Sequence, residues 1–300
     1  MTGLRLAADV GGTNTRLGLA RDGLLLADTV QSFRNEAFGR FAEVMDLYLH
    51  TAAPGGVAEV TIAIAGPVTG TTARLTNRDW HFNVAALSQH LNGAQVHLLN
   101  DLAALGQACP YLQTDCLDTV IAPASYTGGD GQRLVVGIGT GFNLSPVLDA
   151  DGQVQYLNVE YGHVSLPLDV AEHLRNHVPD AAKFATVEHL FSGRGHAAVR
   201  MHFPKDDTGT RDFQAFYADL LALLARNLML AFLPTQGMYF AGAVARSILV
   251  SPARANFIEG FRQPFELDAR IAAPVHVILD DAAALKGCAA LRLPGPHCWK

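Results

Sequence analysis

Two glycine-rich turns, each directly after an apolar run, are the features of this sequence best suited to hold an anion. Residues 9–14 read DVGGTN, and residues 137–141 read GIGTG. Glycines let the backbone turn tightly and point N–H groups at a phosphate with no Cβ in the way. A plain hairpin turn explains either motif alone, but the two together favour a clamp on a polyphosphate. Neither turn matches the P-loop pattern, because no Lys follows it.

Carboxylates and a histidine stand at positions where they can act on such a ligand. Asp9 is placed to hold a hydrated Mg²⁺, which prefers one or two carboxylates and water. Asn100 and Asp101 end an apolar strand, where ligand-binding residues gather in α/β sheets and a carboxylate can accept a proton. Helix capping is the alternative for this pair. Glu160 and His163 flank a glycine in a hydrogen-bonding set suited to a polyol, with a surface loop as the alternative.

Weaker signals come from four further residues. Glu188 lies near the start of a short predicted helix, where interaction with the helix dipole is the alternative to ligand binding. His173 and His177 stand four apart on another predicted helix, but no acid lies between them as in HExxH. A solvated helix face is therefore favoured over a metal site. Trp80 is either a core aromatic or a wall of a cleft, and both interpretations stay open.

Length and composition describe a globular chain with two domains. The 300 residues are 49% hydrophobic and 17% charged, which excludes disordered and fibrous proteins. About 150 residues per domain favours two domains over one. The formal charge is −6, and no stretch clusters Lys or Arg, so nucleic acid is not an expected partner. A small ligand is expected instead.

The cysteines and the first residues favour a reducing compartment. Cys109, Cys116, Cys288 and Cys298 form no CxxC pair, so we expect reduced, buried thiols rather than a zinc or redox site. Residues 1–6 lack the basic region and the long apolar segment of a signal peptide. A cytoplasmic protein is therefore predicted.

One apolar run resembles a membrane span. Residues 220–233 read LLALLARNLMLAFL, which is shorter than the roughly 20 residues that cross a bilayer. Arg226 and Asn227 interrupt its middle, and Pro234 follows it. We therefore predict a buried helix that ends at this proline, and no membrane partner.

The predicted elements of the first third follow the order βββαβαβα. Apolar runs predict strands at 4–10, 15–21, 24–33, 59–65 and 95–99, and helices at 38–53, 84–91 and from 101 onward. Asp22 and Gly23 predict a hairpin turn between the second and third strands. The chain therefore opens with an antiparallel ribbon.

This opening recurs later in the chain. RLAADVGGTNTRLGLARDG and RLVVGIGTGFNLSPVLDADG share the order strand, Gly-Thr turn, strand, Asp-Gly turn. Internal duplication is favoured, with chance similarity as the alternative. Downstream we predict helices at 170–177, 186–190, 195–202, 213–233 and from 280 or 281, and strands at 238–241 and 275–279. The result is two α/β domains with a cleft between them.

Taken together, these residues resemble the bacterial glucokinases of the hexokinase type, members of the actin, heat-shock ATPase and sugar-kinase superfamily. The resemblance covers nearly the whole chain and follows the family's order: DVGGTNTRLGL, AGPVTG, LTNRDW, LLNDLAAL, GIGTG, EYGHVSL, VEHLFSG and FAGAV. The repressor-related sugar kinases share the first motif, but they usually carry a cysteine-rich zinc cluster that this chain lacks.

The resemblance implies an α/β, two-domain actin-like ATPase (ribonuclease H-like) fold with a central cleft. We expect residues 1–110 plus 289–300 to form a small α/β domain and residues 111–288 a large one. The implied reaction is phosphorylation of glucose at its 6-hydroxyl by ATP with Mg²⁺, giving glucose 6-phosphate and ADP. A cytoplasmic homodimer is expected. The alternatives are a kinase for another hexose or amino sugar, and a catalytically weakened sugar-binding regulatory homologue.

The resemblance also implies residue roles. Asp101 is the expected base for the sugar 6-hydroxyl, ionised at neutral pH with an ordinary aspartate pKa of about 3.9. The expected sugar-binding residues are Asn100, Asp101, Glu160, His163 and Glu188. The expected nucleotide-binding residues are Asp9, Gly11, Gly12, Thr13, Asn14, Gly139, Thr140, Gly141 and Gly242, the last within an adenosine segment with Ala241. Since these sets come from both predicted domains, we expect sugar binding to close the cleft.

Three positions depart from the family pattern. Tyr161 stands in EYGH where the family has EGGH, Asn143 replaces the glycine after GTGL, and Ala243 replaces the last glycine of AGG. The preferred sugar and the nucleotide affinity therefore stay open. Glycine at position 143 meets one of two structural needs in the family. The backbone there either adopts a positive φ, which Asn tolerates, or approaches the phosphates too closely to leave room for a side chain. We favour the positive φ.

Overall fold

The computed structural model describes residues 3–76, 78–123, 131–150, 153–264 and 273–291. The chain divides into two compact units. The first unit runs to Leu112 and resumes at Asp281, and the second unit runs from Gln113 to Asp280. The sequence-based boundary between 288 and 289 falls inside the last helix, which packs on the sheet of the first unit.

Both units combine helices with strands. The strands are β1 (Arg5–Val10), β2 (Asn14–Arg21), β3 (Leu24–Leu25), β4 (Gln31–Arg34), β5 (Glu59–Ile64), β6 (Val68–Thr69), β7 (Thr72–Arg74), β8 (His81–Asn83), β9 (Gln95–Asn100), β10 (Leu117–Ile121), β11 (Gln132–Ile138), β12 (Phe142–Ala150), β13 (Gln153–Tyr156), β14 (Met238–Ala241) and β15 (Val275–Ile278). The helices are α1 (Phe41–Ala52), α2 (Val84–His90), α3 (Asp101–Ala108), α4 (Leu168–Arg175), α5 (Val187–Phe191), α6 (Gly193–Arg200), α7 (Asp207–Phe232), α8 (Ala243–Leu249), α9 (Arg254–Phe261) and α10 (Ala283–Ala290).

The main sheet of the first unit has the strand order β3-β2-β1-β5-β9, with β4 also paired to β2. β1 and β2 are antiparallel, whereas β1, β5 and β9 are parallel. In the parallel register, Val10 lies opposite Ile64, and Ile64 lies opposite Asn100. The carboxyl ends of these three strands therefore meet at one edge of the sheet.

The hairpin predicted at Asp22 and Gly23 is confirmed, since both residues have positive φ and join antiparallel strands. The single strand predicted for 24–33 is wrong. Ala27–Thr29 forms a turn of 3₁₀ helix that separates β3 from β4. Here the hydroxyl of Thr29 accepts the N–H of Leu19 at 2.9 Å, in the place of a strand carbonyl.

The core of the first unit follows from the apolar spacing. Helix α1 buries Phe41, Val44, Met45, Tyr48 and Leu49, the helical spacing that turns one face inward. Every residue of the central strand β5 is buried, as expected for a parallel strand covered on both faces.

Trp80 is a core aromatic of the first unit. Its ring is 2% exposed, and its indole N–H donates to the carbonyl of Gly39 at 2.9 Å. The cleft-wall interpretation of this residue is therefore not needed. The small sheet β6-β7-β8, into which Trp80 leads, was not predicted, because its strands are only two or three residues long.

The sheet of the second unit has the strand order β10-β15-β14-β11-β12-β13. β11, β12 and β13 form an antiparallel ribbon, and β14 and β15 extend the sheet in parallel from β11. The order β13-β12-β11-β14-β15 repeats the order β3-β2-β1-β5-β9 of the first unit. The repeated unit predicted from the sequence is thus confirmed in the strand pairing. The second predicted Asp-Gly turn, at 151–152, lies outside the described residues.

Helix α7 forms the centre of the second unit. It begins six residues before the predicted start at 213, because the side chain of Asp206 caps it by accepting the N–H of Gly209 at 2.7 Å. It ends at Phe232, close to the prediction from Pro234. Among the described residues, α7 has the length and composition to cross a membrane, but just over half of its most apolar window is buried inside this unit. The prediction of a buried helix is confirmed.

The two histidines four apart lie on a partly solvated helix face, with His177 exposed and His173 half-buried. The rings of His173 and His177 lie 5.2 and 4.6 Å from the ring of Phe216 on α7, measured between centroids. In the described parts of the chain, no group of three or more His, Cys, Asp or Glu side chains is arranged to hold a metal.

The described cysteines are reduced thiols. Cys109 and Cys288 are buried as predicted, whereas Cys116 is only half-buried. Cys298 lies outside the described residues.

Candidate active site

An acidic group occupies the carboxyl edge of the parallel strands in the first unit. Asp9 lies on β1 with one carboxylate oxygen 3.4 Å from a guanidinium nitrogen of Arg16, and Asp101 begins α3. Burial raises the pKa of Asp9, Arg16 opposes the rise, and the charge of Asp281 adds to it. Burial also raises the pKa of Asp101 to about 7, and the charge of Asp9 adds to that rise. These carboxylates lie close enough to repel one another.

The expected pKa of 3.9 for Asp101 is therefore wrong. The backbone N–H of Leu102 and the side chain of Asn100 stabilise the carboxylate, but burial outweighs them. With a pKa raised to about 7, Asp101 is far more easily protonated than an ordinary aspartate. A general base is most effective when its pKa lies near the working pH, so the shift favours this role.

Asn100 fixes the start of α3. Its side-chain oxygen accepts the N–H of Leu102 at 3.0 Å, so the helix-capping interpretation is confirmed. Its side-chain nitrogen donates to the carbonyl of Gly66 at 3.2 Å, in the segment that follows β5. Asn100 thereby ties the ends of two parallel strands together and holds Asp101 in place.

The first glycine turn is held from behind by a buried residue that sequence reasoning missed. The N–H of Gly11 donates to the carbonyl of Asn14 at 3.0 Å, and Thr13 is exposed. Asn35 is fully buried, and its side-chain nitrogen donates to the carbonyl of Gly11 at 2.8 Å. Its side-chain oxygen accepts a hydrogen bond from the hydroxyl of Thr15 at 2.8 Å, and its backbone N–H donates to the carbonyl of Thr13 at 2.9 Å. The neighbouring polar residues of Asn35 gave no signal of this burial.

Substituting Asn35→Ala should lower the free energy of unfolding by about 3 kcal/mol, because it leaves the carbonyl of Gly11 and the hydroxyl of Thr15 without their buried partner. Urea denaturation measures this loss. The matched control is Asn176→Ala at the exposed end of α4, which should change stability by less than about 0.5 kcal/mol. Equal losses in the two variants would contradict the assignment.

The second glycine turn lies at the carboxyl end of β11. The N–H of Gly139 donates to the carbonyl of Gly141 at 3.0 Å, and the N–H of Gly193 donates to the carbonyl of Gly139 at 2.7 Å. Thr140 is exposed within this turn. Both glycine turns therefore follow a parallel strand and expose a threonine.

Gly242 approaches the second turn closely. It follows β14, which is parallel to β11, with Ala241 opposite Gly137. Its φ is 95°, and a Cβ there would lie 2.3 Å from the carbonyl oxygen of Ile138. The structure thus brings the expected adenosine segment next to the second turn. Ala243 is the exposed first residue of α8, so its departure from glycine leaves the helix intact.

Two expected sugar-binding carboxylates meet the start of β12. Glu188 accepts the N–H of Phe142 at 3.4 Å, and its carboxylate packs against Gly141, where a Cβ would lie 3.1 Å from it. A guanidinium nitrogen of Arg194 lies 3.5 Å from the other oxygen of Glu188. Glu160 contacts the next residue of the strand, Asn143.

His163 is exposed and ends a turn of 3₁₀ helix, Tyr161–His163, directly after Glu160. Its N–H donates to the carbonyl of Glu160 at 3.3 Å. The loop of residues 160–163 and the start of α5 therefore carry Glu160, His163 and Glu188 in the second unit, where Glu160 and Glu188 both contact the start of β12.

The preferred explanation of Asn143 is wrong. Asn143 lies within β12 opposite Gly137, and it is not among the described residues with positive φ. No unusual backbone conformation is required at this position, and the side chain has contacts of its own.

The chain is similar to known proteins over nearly its whole length. A family model described as glucokinase matches residues 6–207 and 197–293. The glucokinase of Nitrobacter hamburgensis is 29% identical over 329 aligned positions, covering 98% of each chain. A crystal structure of a glucokinase from an Antarctic psychrotroph is 25% identical and superposes with a TM-score of 0.81, covering 96% of this chain and 98% of that one.

A more distant structure shares the fold. It is a ROK family glucokinase from Streptomyces griseus in complex with glucose and AMPPNP, 18% identical with a TM-score of 0.60, covering 96% of this chain and 98% of that one. The two-unit α/β structure is thus that of a sugar kinase. Because the family model matches nearly the whole length, this chain belongs to the glucokinase family.

Proposed function

We propose that this protein transfers the terminal phosphoryl group of ATP to the 6-hydroxyl of glucose and releases glucose 6-phosphate and ADP. The observation that carries the proposal is Asp101, a half-buried carboxylate with a pKa raised to about 7 that Asn100 holds at the start of α3. Phosphoryl transfer depends mainly on positioning and charge stabilisation, and a base of this kind contributes roughly 10²–10⁴ in rate.

Asp101 takes the proton of the sugar hydroxyl in this mechanism. The 6-oxygen of glucose bonds to the terminal phosphorus of ATP, and the bond from that phosphorus to the bridging oxygen breaks. The proton passes to a carboxylate oxygen of Asp101, and ADP leaves with the bridging oxygen. Asn100, Glu160, His163 and Glu188 orient the sugar through hydrogen bonds to its other hydroxyls.

We assign the phosphates of ATP to the two glycine turns. The N–H groups of residues 11–14 and 139–141 and the hydroxyls of Thr13 and Thr140 are the donors, and both threonines are exposed. Gly242 and Ala241 form the adenosine segment. The support is the matching position of the two turns, each directly after a parallel strand.

Asp9 fits a magnesium ion that accompanies ATP. Its carboxylate is little exposed, and burial and the charge of Asp281 raise its pKa although Arg16 lies beside it. A divalent cation relieves this repulsion, and hydrated Mg²⁺ takes one or two carboxylates together with phosphate oxygens. When bound, it neutralises negative charge on the phosphates.

The family resemblance supports the remaining expectations. The shared strand order of the two sheets supports an actin-like, ribonuclease H-like duplication. We further propose a cytoplasmic homodimer that acts on small molecules without nucleic acid or membrane, as the resemblance implies.

A coupled ADP-release assay with glucose, mannose, fructose and N-acetylglucosamine tests the proposed substrate. We expect the highest kcat/KM with glucose. A higher value with another sugar would instead identify a kinase for that hexose or amino sugar. Sugar binding with no ADP release would support the regulatory homologue and contradict the proposal.

The pH profile should show the raised pKa of Asp101. Because the base must be ionised, log kcat/KM for glucose should fall with unit slope as the pH drops below the pKa of Asp101, which burial holds above the ordinary aspartate value even when a cation offsets the charge of Asp9. Initial rates at saturating ATP and Mg²⁺ between about pH 5.5 and 8.5 measure this profile, with the coupling enzymes in excess at each pH. A profile that is flat down to about pH 5.5 would show that Asp101 titrates normally or is not the base.

A further inference from the structure

Two of the three departures from the family pattern contact each other in the second unit. The side-chain nitrogen of Asn143 donates to a carboxylate oxygen of Glu160 at 3.2 Å. The side-chain oxygen of Asn143 accepts the N–H of Tyr161 at 3.1 Å and the N–H of Leu144 at 2.9 Å. One carboxamide therefore binds the side chain of Glu160 and the backbone of the residue after it.

Glu160 needs such a partner to keep one orientation. Its side chain is exposed, on the loop between β13 and the Tyr161–His163 turn. A long, exposed side chain samples several rotamers, and freezing it on binding reduces affinity. Asn143 is half-buried in β12, where strand pairing with Gly137 fixes its backbone. A hydrogen bond to an ionised carboxylate is stronger than one between neutral groups, and at 3.2 Å this exposed bond restrains the Glu160 side chain.

We propose that Asn143 is a positioning residue for the sugar: it holds Glu160 and the backbone at Tyr161 in the arrangement that binds glucose. This inference rests on the proposed function, since it takes Glu160 as a sugar ligand. Glycine at this position has no side chain with which to make either contact. Because Asn143 occupies one side of the Glu160 carboxylate, the sugar hydroxyls are restricted to the remaining acceptor positions. Asn143 thus selects among sugars without touching them.

The same contacts argue against obstruction of the nucleotide. The carboxamide of Asn143 is engaged with residues 160, 161 and 144. Its loss should therefore affect sugar binding rather than the turn at 139–141. If a substitution at Asn143 raises the KM for glucose and leaves the KM for ATP nearly unchanged, the residue positions the sugar site. A general structural role would change both constants.

Asn143→Asp tests the contact to Glu160 most sharply. The aspartate still accepts the N–H groups of Tyr161 and Leu144, but it cannot donate to Glu160 and repels it. We expect the Kd for glucose, measured by calorimetry without nucleotide, and the KM for glucose to rise at least about 10-fold. The KM for ATP should change less than about 3-fold. Asn143→Gly should raise the glucose constants about 3-fold to 10-fold.

The matched control is Asn176→Asp, the same charge change at an exposed position at the end of α4. It should leave all three constants within about 2-fold of the wild type. Thermal unfolding by circular dichroism checks that every variant is folded.

The Glu160→Gln background supplies a second test. Glutamine can donate to an aspartate at 143, so the donor and acceptor exchange places. In this background, Asn143→Asp should change the Kd for glucose less than about 2-fold, because the two residues act as a pair. An equal effect of Asn143→Asp in both backgrounds would show that Asn143 does not act through Glu160 and would overturn the inference.

Failure of the inference is distinguishable from failure of the proposed function. If the wild type binds glucose without turnover, the proposed reaction fails, while calorimetry still decides the role of Asn143. Unchanged glucose constants in a folded Asn143→Asp protein, or a tenfold shift confined to the KM for ATP, would overturn the inference alone. A wild type that does not bind glucose would overturn both.

Discussion

Replacing Asp101 by Asn lowers kcat for glucose by at least about 100-fold and leaves the Kd for glucose within about 3-fold. The amide has the shape of the acid and can still accept the N–H of Leu102, as the carboxylate does at 3.0 Å. It cannot accept the proton of the sugar hydroxyl, which removes general-base catalysis. Steady-state kinetics and calorimetry on the purified variant measure the two effects. Unchanged turnover would contradict the assignment of Asp101 as the base.

The same variant should be more stable than the wild type at alkaline pH. The pKa of Asp101 is raised to about 7 in the folded state, against about 3.9 when unfolded. The folded protein therefore holds this proton more tightly, and the resulting stability is lost as the pH rises through 7. Asparagine carries no charge to bury, so Asp101→Asn should gain about 1 to 2 kcal/mol at pH 8.

Near pH 4 the two proteins should have similar stability, because Asp101 is then protonated in the folded state. Urea denaturation at both pH values measures the difference. A variant less stable than the wild type at pH 8 would show that the charge of Asp101 is compensated in the folded protein.

Gly242→Ala is expected to raise the KM for ATP at least about 10-fold and to lower stability by about 2 to 4 kcal/mol. Gly242 has a φ of 95°, which costs an alanine strain energy. Its new Cβ would lie 2.3 Å from the carbonyl oxygen of Ile138 and 3.1 Å from the nitrogen of Gly139. Because both contacts are with backbone, the second glycine turn must move. ATP titrations and urea denaturation measure the two effects.

Gly93→Ala is the control that introduces backbone strain from a positive φ without moving the second glycine turn. Gly93 has a φ of 91°, but a Cβ there meets nothing within 4 Å. This control should lose about 1 kcal/mol of stability, with the KM for ATP unchanged. If both variants left the KM for ATP unaltered, the assignment of the second turn to the nucleotide would be contradicted.

The sequence predicted those elements whose signals are local. The apolar run of β5 and the helical spacing of α1 specify their own burial, and Asp22 and Gly23 specify a hairpin by their tolerance of positive φ. The recurrence of the glycine turns predicted the antiparallel pair of strands that is repeated in the two sheets. Short elements were missed, including the strands β6 to β8, because two or three residues show no period.

Features that depend on distant contacts were beyond the sequence. The break between β3 and β4 depends on a hydroxyl of Thr29 that replaces a strand carbonyl. The burial of Asn35 depends on the turn that it supports from 24 residues away in the chain. The pKa of Asp101 depends on burial and on Asp9, which no local pattern reports.

The sequence predicted which residues form the candidate site, but it did not predict the contacts between their side chains. The glycine turns and Asp101 carry chemistry that spacing alone suggests. The link between Asn143 and Glu160 joins a strand to a loop 17 residues later. Asn143 departs from the family pattern, and Glu160 precedes a second departure at Tyr161. The resemblance therefore showed that position 143 is unusual, and the side-chain contacts in the structure explain what an asparagine does there.

Product formation with glucose and with 6-deoxyglucose tests the central claim most directly. The wild-type protein with ATP and Mg²⁺ should convert glucose to glucose 6-phosphate and release ADP in equal amount, as measured by ³¹P NMR and the coupled assay. With 6-deoxyglucose, which lacks the accepting hydroxyl, ADP release should stay at the level without sugar. ADP release at the same rate with both sugars, or phosphate attached to another hydroxyl, would contradict phosphorylation at the 6-position with Asp101 as the base.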